Sequence, residues 1–114
     1  MHELSIALNI VEIAQDEAER LGGRVSAVHI KVGALSGVTR EALLSSYEIA
    51  CFDTPLAGSQ LVIEAVPVVV FCPRCQATRG LSSVQLFCCA ECGEPTGDVR
   101  AGRELEVVAL EIES

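Results

Sequence analysis

The sequence has no tryptophan and only four aromatic residues among its 114 positions. A hydrophobic core must therefore be built from valine, leucine, isoleucine and alanine, which is a thin core for a small domain and leaves room for a stabilising metal ion. Basic residues are scarce too, since eight Lys and Arg stand against sixteen Asp and Glu, and the net charge is −8. Because phosphate binding needs concentrated Lys and Arg, this composition disfavours a nucleic-acid partner.

Long apolar runs are also missing. No segment reaches the roughly 18 uninterrupted apolar residues of a membrane span, so no membrane partner is expected. The first ten residues, MHELSIALNI, lack the positively charged start and the cleavage site of a secretory signal. We therefore expect a cytoplasmic protein that keeps its amino terminus, and the large His2 favours retention of Met1.

Charge is distributed unevenly along the chain. Residues 1–66 carry a net charge of −5 and residues 104–114 carry −4, whereas residues 67–103 carry +1. This shift predicts an acidic domain formed by residues 1–66 and 104–114, with a distinct module at residues 67–103 inserted into it.

Periodicity predicts two helices in the acidic part. A polar stripe at helical spacing favours a helix from Glu3 to about Leu21, which the glycine pair beginning at Gly22 ends. Thr39 is a candidate N-cap for a second helix, which must end before Pro55.

Alternating apolar residues predict three strands, at residues 25–32, 61–66 and 105–113. Their apolar face needs cover, and the two amphipathic helices are available to provide it. The predicted fold class is therefore α/β, of the α+β type: a three-stranded sheet covered by two helices, with an inserted zinc-ribbon module that the cysteines suggest.

Four of the six cysteines form two Cys-x-x-Cys pairs with 13 residues between them: Cys72, Cys75, Cys89 and Cys92. Each pair brings two sulfurs to one side of a tight loop, and two such loops supply the four thiolates that structural Zn²⁺ prefers. Zinc is favoured over iron. A tetrathiolate site has no open position, so we do not expect catalysis at this ion.

Other interpretations of the cysteines are weaker. Disulfides are disfavoured in the reducing cytoplasm, and a redox motif would need one pair at the start of a helix. Cys88 leaves the register of the second pair open, although the shorter gap favours Cys89 over Cys88 as the partner of Cys92. Cys51, at helical spacing from Tyr47, is expected in the core.

The amino terminus contains a candidate chelate. The α-amine of Met1, the amide nitrogen of His2 and its imidazole can close a five-membered and a six-membered ring around one metal ion. Displacing an amide proton requires a metal that favours planar nitrogen donors, which points to Ni²⁺ or Cu²⁺. The fourth donor stays open between the Glu3 amide, the Glu3 carboxylate and water. From spacing alone, a surface His2 is the simpler interpretation, and His29 is expected to be a solvated or edge-strand residue.

Several segments, in this order along the chain, resemble the HypA/HybF family: MHELSI, KVGALSGV, AGSQLVIE, the two Cys-x-x-Cys pairs and AGRELEV. These proteins are nickel metallochaperones of [NiFe]-hydrogenase maturation. The resemblance implies a nickel site at Met1, His2 and Glu3, and zinc ligation by the four paired cysteines. The chain departs from the family pattern at Ala90, where proline is common, and in its additional Cys88.

The resemblance implies a carrier rather than an enzyme, with Ni²⁺ as cargo and Zn²⁺ as a structural ion. It also implies a HypB-type GTPase and the hydrogenase large-subunit precursor as partners, with the chain acting as a monomer or a weak homodimer; some members also serve urease. Two alternatives remain from the residues alone: a zinc-ribbon interaction or nucleic-acid-binding module without nickel function, and a rubredoxin-like electron carrier. Acidic charge and few aromatics disfavour nucleic-acid binding.

Overall fold

The computed structural model describes residues 2–81 and 83–113, which form two helices and six strands. In chain order these are α1 (Glu3–Leu21), β1 (Arg24–Gly33), α2 (Arg40–Cys51), β2 (Gln60–Val66), β3 (Val69–Cys72), β4 (Ala77–Gly80), β5 (Val99–Ala101) and β6 (Leu105–Glu113). The strands form two three-stranded sheets, ordered β2-β1-β6 and β4-β3-β5. The predicted α+β fold class is confirmed.

Both helices occupy the predicted segments, and they pack against each other. α1 ends at Gly22, whose left-handed φ of 73° costs glycine no steric strain, and the N–H of Gly22 donates to the carbonyl oxygen of Ala18. Thr39 is the N-cap of α2, but its side chain makes no capping hydrogen bond. Instead its N–H donates to the Glu3 carboxylate at 3.4 Å, which ties the start of α2 to the first residue of α1. Within the described residues, no helix has the length and hydropathy to cross a membrane.

The described residues divide into two compact units. The first comprises residues 2–30, Val38–Glu64 and residues 106–113, and the second comprises Lys31–Gly37 and Ala65–Leu105. The first unit holds three basic and twelve acidic side chains, whereas the second holds five basic and four acidic ones. The negative charge of the chain is therefore concentrated in the first unit.

The core of the first unit is largely aliphatic and comes from α1, β1, α2 and the turn after α2. Its buried side chains are those of Ala7, Ile10, Val11, Ala14, Val25, Ala27, Val28, Ile30, Leu43, Tyr47, Ala50, Cys51 and Leu56. β2 and β6 flank β1, and all their residues are exposed or half-buried. The side chains that the sheet contributes to this core therefore come from the central strand β1. Cys51, in α2, also lies in the core, as predicted.

His29 was expected to be a solvated or edge-strand residue; it lies on the central strand β1, so of these two alternatives the edge position does not hold. Its side chain is half-buried, and its Nε2 atom lies 2.6 Å from Oε2 of Glu111 on the neighbouring strand β6. Sequence periodicity gave no sign of this pair, because the two residues are 82 positions apart. Since both groups are partly solvated, the pair contributes little to stability.

Candidate metal centre

The first cysteine pair closes an antiparallel hairpin in the second unit. β3 pairs with β4, with Cys72 opposite Ala77 and Val70 opposite Arg79, so the Cys-x-x-Cys loop forms the turn. β5 pairs with β3 as well. These three strands were not predicted, because segments of three or four residues are too short to show a period of two.

The second cysteine pair lies in a smaller hairpin. Cys88 and Pro95 form an isolated antiparallel bridge. The N–H of Cys89 donates to the carbonyl oxygen of Glu94 at 2.8 Å, and the N–H of Gly93 donates to the carbonyl oxygen of Cys89 at 2.9 Å. Both cysteine loops are thus held by backbone hydrogen bonds.

Thr96 attaches the second hairpin to β3. It is a buried polar side chain, and its hydroxyl donates to the carbonyl oxygen of Phe71 at 2.6 Å. The N–H of Phe71 donates in turn to the carbonyl oxygen of Asp98 at 2.9 Å. These bonds fix the strand that ends at Cys72 relative to the segment that follows the second loop.

The two loops bring four sulfurs together. All four Sγ atoms lie within 4.8 Å of one another, and they belong to Cys72, Cys75, Cys89 and Cys92. The two short distances run between the loops, at 3.6 Å from Cys72 to Cys92 and 3.8 Å from Cys75 to Cys89. A tetrahedral zinc site with Zn–S bonds of about 2.3 Å has S···S edges of about 3.8 Å. The donor set and its spacing therefore fit a structural Zn²⁺.

Cys88 lies outside this cluster and is half-buried. The structure therefore brings Cys89, and not Cys88, to the other three sulfurs. The antiparallel bridge of Cys88 with Pro95 explains this, because adjacent residues of an extended strand point their side chains in opposite directions.

Hydrogen-bond donors lie beside several of the sulfurs. The backbone N–H groups of Cys92 and Glu91 lower the pKa of the Cys89 thiol to about 6, and the N–H of Cys75 donates to Sγ of Cys72 at 3.4 Å. Hydrogen bonds to the sulfurs of Cys75 and Cys89 raise the pKa of the Arg79 guanidinium. At Cys89 these groups favour the thiolate, which is the form of cysteine that binds metal, whereas burial and the neighbouring thiols raise the pKa of Cys92.

The residue after each second cysteine has left-handed backbone: Gly93 has φ 77° and Gln76 has φ 54°. An L-residue with a side chain pays about 1–2 kcal/mol for this conformation. We therefore expect Gly93→Ala to weaken zinc retention by about 5- to 30-fold, measured by competition with a chromophoric chelator.

Gly97→Ala is the matched control for this substitution. Gly97 lies in the same unit, its φ is outside the left-handed region, and a Cβ atom there would meet open space. Zinc retention should stay at the parent value in this variant. Equal losses at positions 93 and 97 would show that backbone strain is not the cause.

The amino-terminal residues lie at the start of α1. Met1, predicted to supply an amine ligand, lies outside the described residues. His2 is exposed, and its side chain makes no capping hydrogen bond. The first helical hydrogen bond runs from the N–H of Ile6 to the carbonyl oxygen of His2, at 3.2 Å. The amides of His2 and Glu3 therefore take no part in the helical ladder.

The carboxylate of Glu3 is already engaged within the protein. The N–H groups of Glu3 itself and of Thr39 hold the pKa of this carboxyl below its usual value. The carboxylate and the backbone amide of Glu3 therefore both take part in hydrogen bonds at the start of α1. The contact with Thr39 spans 36 residues, and no local sequence signal could have shown it.

Comparison with known proteins gives matches along the whole chain. The family model described as hydrogenase/urease nickel incorporation, metallochaperone, HypA matches residues 1–112. A Chloroflexus aurantiacus protein described as hydrogenase maturation factor HypA is 57% identical over 112 residues, which cover 97% of this chain and 98% of that protein. A Roseiflexus protein with the same description is 45% identical, covering 99% of this chain and 93% of that protein.

Two solution structures share the fold. The nickel metallochaperone HypA from Helicobacter pylori matches with a TM-score of 0.65 and 19% identity, covering 98% of this chain and 97% of that one. A second HypA protein matches with a TM-score of 0.71 and 18% identity, covering 99% and 97%. At these identities the likeness establishes the fold alone.

Proposed function

The chain belongs to the HypA family of hydrogenase/urease nickel-incorporation metallochaperones, and on this premise we propose that it binds Ni²⁺ at its amino terminus and delivers it to a [NiFe]-hydrogenase large-subunit precursor. The observation that carries the proposal is the exposed start of α1. There the His2 imidazole makes no capping hydrogen bond, and the amides of His2 and Glu3 lie outside the helical ladder.

The proposed nickel ligands are the amine of Met1, the amide and imidazole of His2, and the amide of Glu3. Neutral and deprotonated nitrogen donors of this kind suit the planar geometry that Ni²⁺ favours. Because these ligands come from one exposed terminus, a partner can approach the ion directly. Such a site suits the handover of cargo better than a closed cage does.

We assign the structural Zn²⁺ to the four clustered cysteines: Cys72, Cys75, Cys89 and Cys92. Four thiolates leave no open position, so the ion stabilises the fold and does not take part in catalysis. In this proposal residues 1–66 and 104–114 form the nickel-binding domain, residues 67–103 form the zinc module, and the protein is a carrier rather than an enzyme.

A HypB-type GTPase and the hydrogenase large-subunit precursor are the proposed partners, and the chain acts as a monomer or a weak homodimer. We place this activity in the cytoplasm. The six cysteines are free thiols in the structure, and a reducing compartment keeps them available to bind metal.

Nickel transfer tests the delivery step directly. The zinc-containing protein is loaded with radioactive nickel, mixed with metal-free large-subunit precursor and the GTPase, and separated by size. We expect the label to move to the precursor faster than it does from an equal amount of free Ni²⁺ in the presence of a competing chelator. Label that stays with the chain, or that moves no faster than free nickel, would contradict delivery.

A further inference from the structure

Three consecutive backbone N–H groups at the end of β1 donate to carbonyl oxygens on both arms of the zinc module, where the chain enters the module and where it leaves. The bonds run from Gly33 to Glu104 at 2.7 Å, from Ala34 to Val66 at 3.0 Å and from Leu35 to Gly102 at 2.7 Å. Val66 lies on the entering arm, and the other two acceptors lie on the leaving arm. We call these three bonds the clasp, and all of its residues belong to the second unit.

The clasp depends on glycine. Gly33 and Gly102 are both buried, and a Cβ atom added at Gly33 would overlap the carbonyl group of Gly102 and the backbone nitrogen of Arg103. The φ of Gly33 is outside the left-handed region, so glycine is needed there because the two backbones approach closely. Gly102 lies against the buried Val68, and its N–H donates to the Glu104 carboxylate at 2.8 Å.

All three strands of the first sheet end or begin at the clasp. β1 ends at Gly33, β2 ends at Val66 and β6 begins at Leu105. Within the module, the ladder between β3 and β5 shifts its register between Val69 and Val70, so the backbone pairing is irregular just after the entering arm. The four clustered cysteines lie wholly between the two arms, and none of them belongs to the clasp.

We propose that the clasp is a conformational stop, which confines the unfolding caused by zinc loss to the segment between its arms and leaves the β2-β1-β6 sheet intact. The inference rests on the proposed zinc site and not on the proposed nickel site. The clasp joins backbone groups, so its bonds do not require the metal. While they hold, the two arms stay adjacent and the zinc-free module remains a closed loop. The module can therefore lose and regain zinc without unfolding the strands that lead into it.

Amide hydrogen exchange tests the stop in the parent protein, measured by NMR on the full chain before and after chelation of zinc. Exchange should accelerate in the two cysteine loops, whereas the N–H groups of Gly33, Ala34 and Leu35 should keep their slow exchange, because they belong to a separate cooperative unit. Acceleration of these three groups together with the cysteine loops would overturn the proposal.

Gly33→Ala separates a stop from ordinary stabilisation. With zinc bound, the module itself holds the arms together, so the amides of β1 should exchange as in the parent. After chelation they should exchange about 5- to 100-fold faster than in the chelated parent, the usual effect of overpacking a buried contact. Gly97→Ala is the control, because a Cβ atom at Gly97 meets open space, and its β1 amides should match the parent in both states. Equal acceleration in Gly33→Ala with and without zinc would contradict the stop.

Two substitutions of Glu104 weaken the clasp without crowding the backbone. Glu104→Ala removes the carboxylate that accepts from the N–H of Gly102. In the chelated protein it should accelerate the exchange of β1 by about 2- to 10-fold, the range expected for one hydrogen bond. Glu104→Gln keeps an acceptor oxygen and should restore most of the parent rate. Parent-like exchange in chelated Glu104→Ala would count against the clasp.

The metal content of the parent distinguishes the two levels of inference. A parent protein that does not hold one zinc per chain contradicts the proposed zinc site and this inference with it. A parent that holds one zinc, but whose clasp amides accelerate on chelation, contradicts the stop and leaves the zinc site intact.

Discussion

Replacement of His2 by alanine is expected to lower the affinity of the protein for Ni²⁺ by more than about 100-fold, since even the loss of a group outside the ligand shell typically costs about 10- to 100-fold. The variant loses the imidazole and the six-membered chelate ring that it closes with its own amide. His2 is exposed and caps no N–H group of α1 with its side chain, so the fold should not change. Isothermal titration of the zinc-loaded protein with Ni²⁺ measures the loss.

Acetylation of the Met1 α-amine should have a comparable effect, because it removes one nitrogen donor from the chelate with the amide and imidazole of His2. His29→Ala is the matched control, since it removes a histidine from the same unit that is paired with Glu111 on the sheet. His29→Ala should bind nickel as the parent does. Tight binding in both terminal variants, or an equal loss in His29→Ala, would refute the terminal site.

Removal of zinc is expected to unfold residues 70–95 while α1 and α2 stay folded. Among the described residues of the second unit, only five residues other than glycine are buried: Val68, Val70, Cys72, Cys89 and Thr96. Two of these five are proposed ligands, so little apolar packing remains once the metal has left. Structural zinc contributes about 10–16 kcal/mol to the folding of zinc-finger peptides, which is more than such a core can replace. Hydrogen exchange before and after chelation measures the change at each segment.

Two cysteine variants sharpen this test. Cys72→Ser removes a buried member of the cluster and should reproduce the fast exchange of the chelated protein. Cys88→Ser changes a neighbouring thiol that lies outside the cluster, and it should keep both the zinc and the slow exchange. Zinc loss in Cys88→Ser would mean that the ligand register is wrong. Slow exchange at residues 70–95 after complete chelation would mean that packing, not metal, holds this segment.

The parts of the fold that could be predicted are those with a local signal. The bounds of α1 follow from a polar stripe and from Gly22. β6 covers the segment in which apolar and acidic residues alternate. The cysteine cluster was predictable because loop spacing alone brings paired sulfurs together. In each case the information lies within a few residues of the feature that it determines.

The parts that could not be predicted depend on contacts between distant residues. β3, β4 and β5 are too short for periodicity and pair because the cysteine loops turn the chain. The engagement of the Glu3 carboxylate by Thr39 likewise depends on how α1 meets α2. Such contacts determine which donor groups are already hydrogen-bonded within the protein. They therefore add to the description of the site even where the sequence had already identified its residues.

The order β2-β1-β6 has a consequence for the timing of biosynthesis. β1 is the central strand of its sheet, yet one of its two neighbours is β6, the last strand to be made. All four clustered cysteines precede β6 in the chain. Because a nascent chain folds from its amino terminus as it is synthesised, β1 and β2 can pair before β6 exists, and the sheet is completed only once the chain is. The ribosome therefore makes the residues of the proposed amino-terminal chelate first and the strand that completes the β2-β1-β6 sheet last.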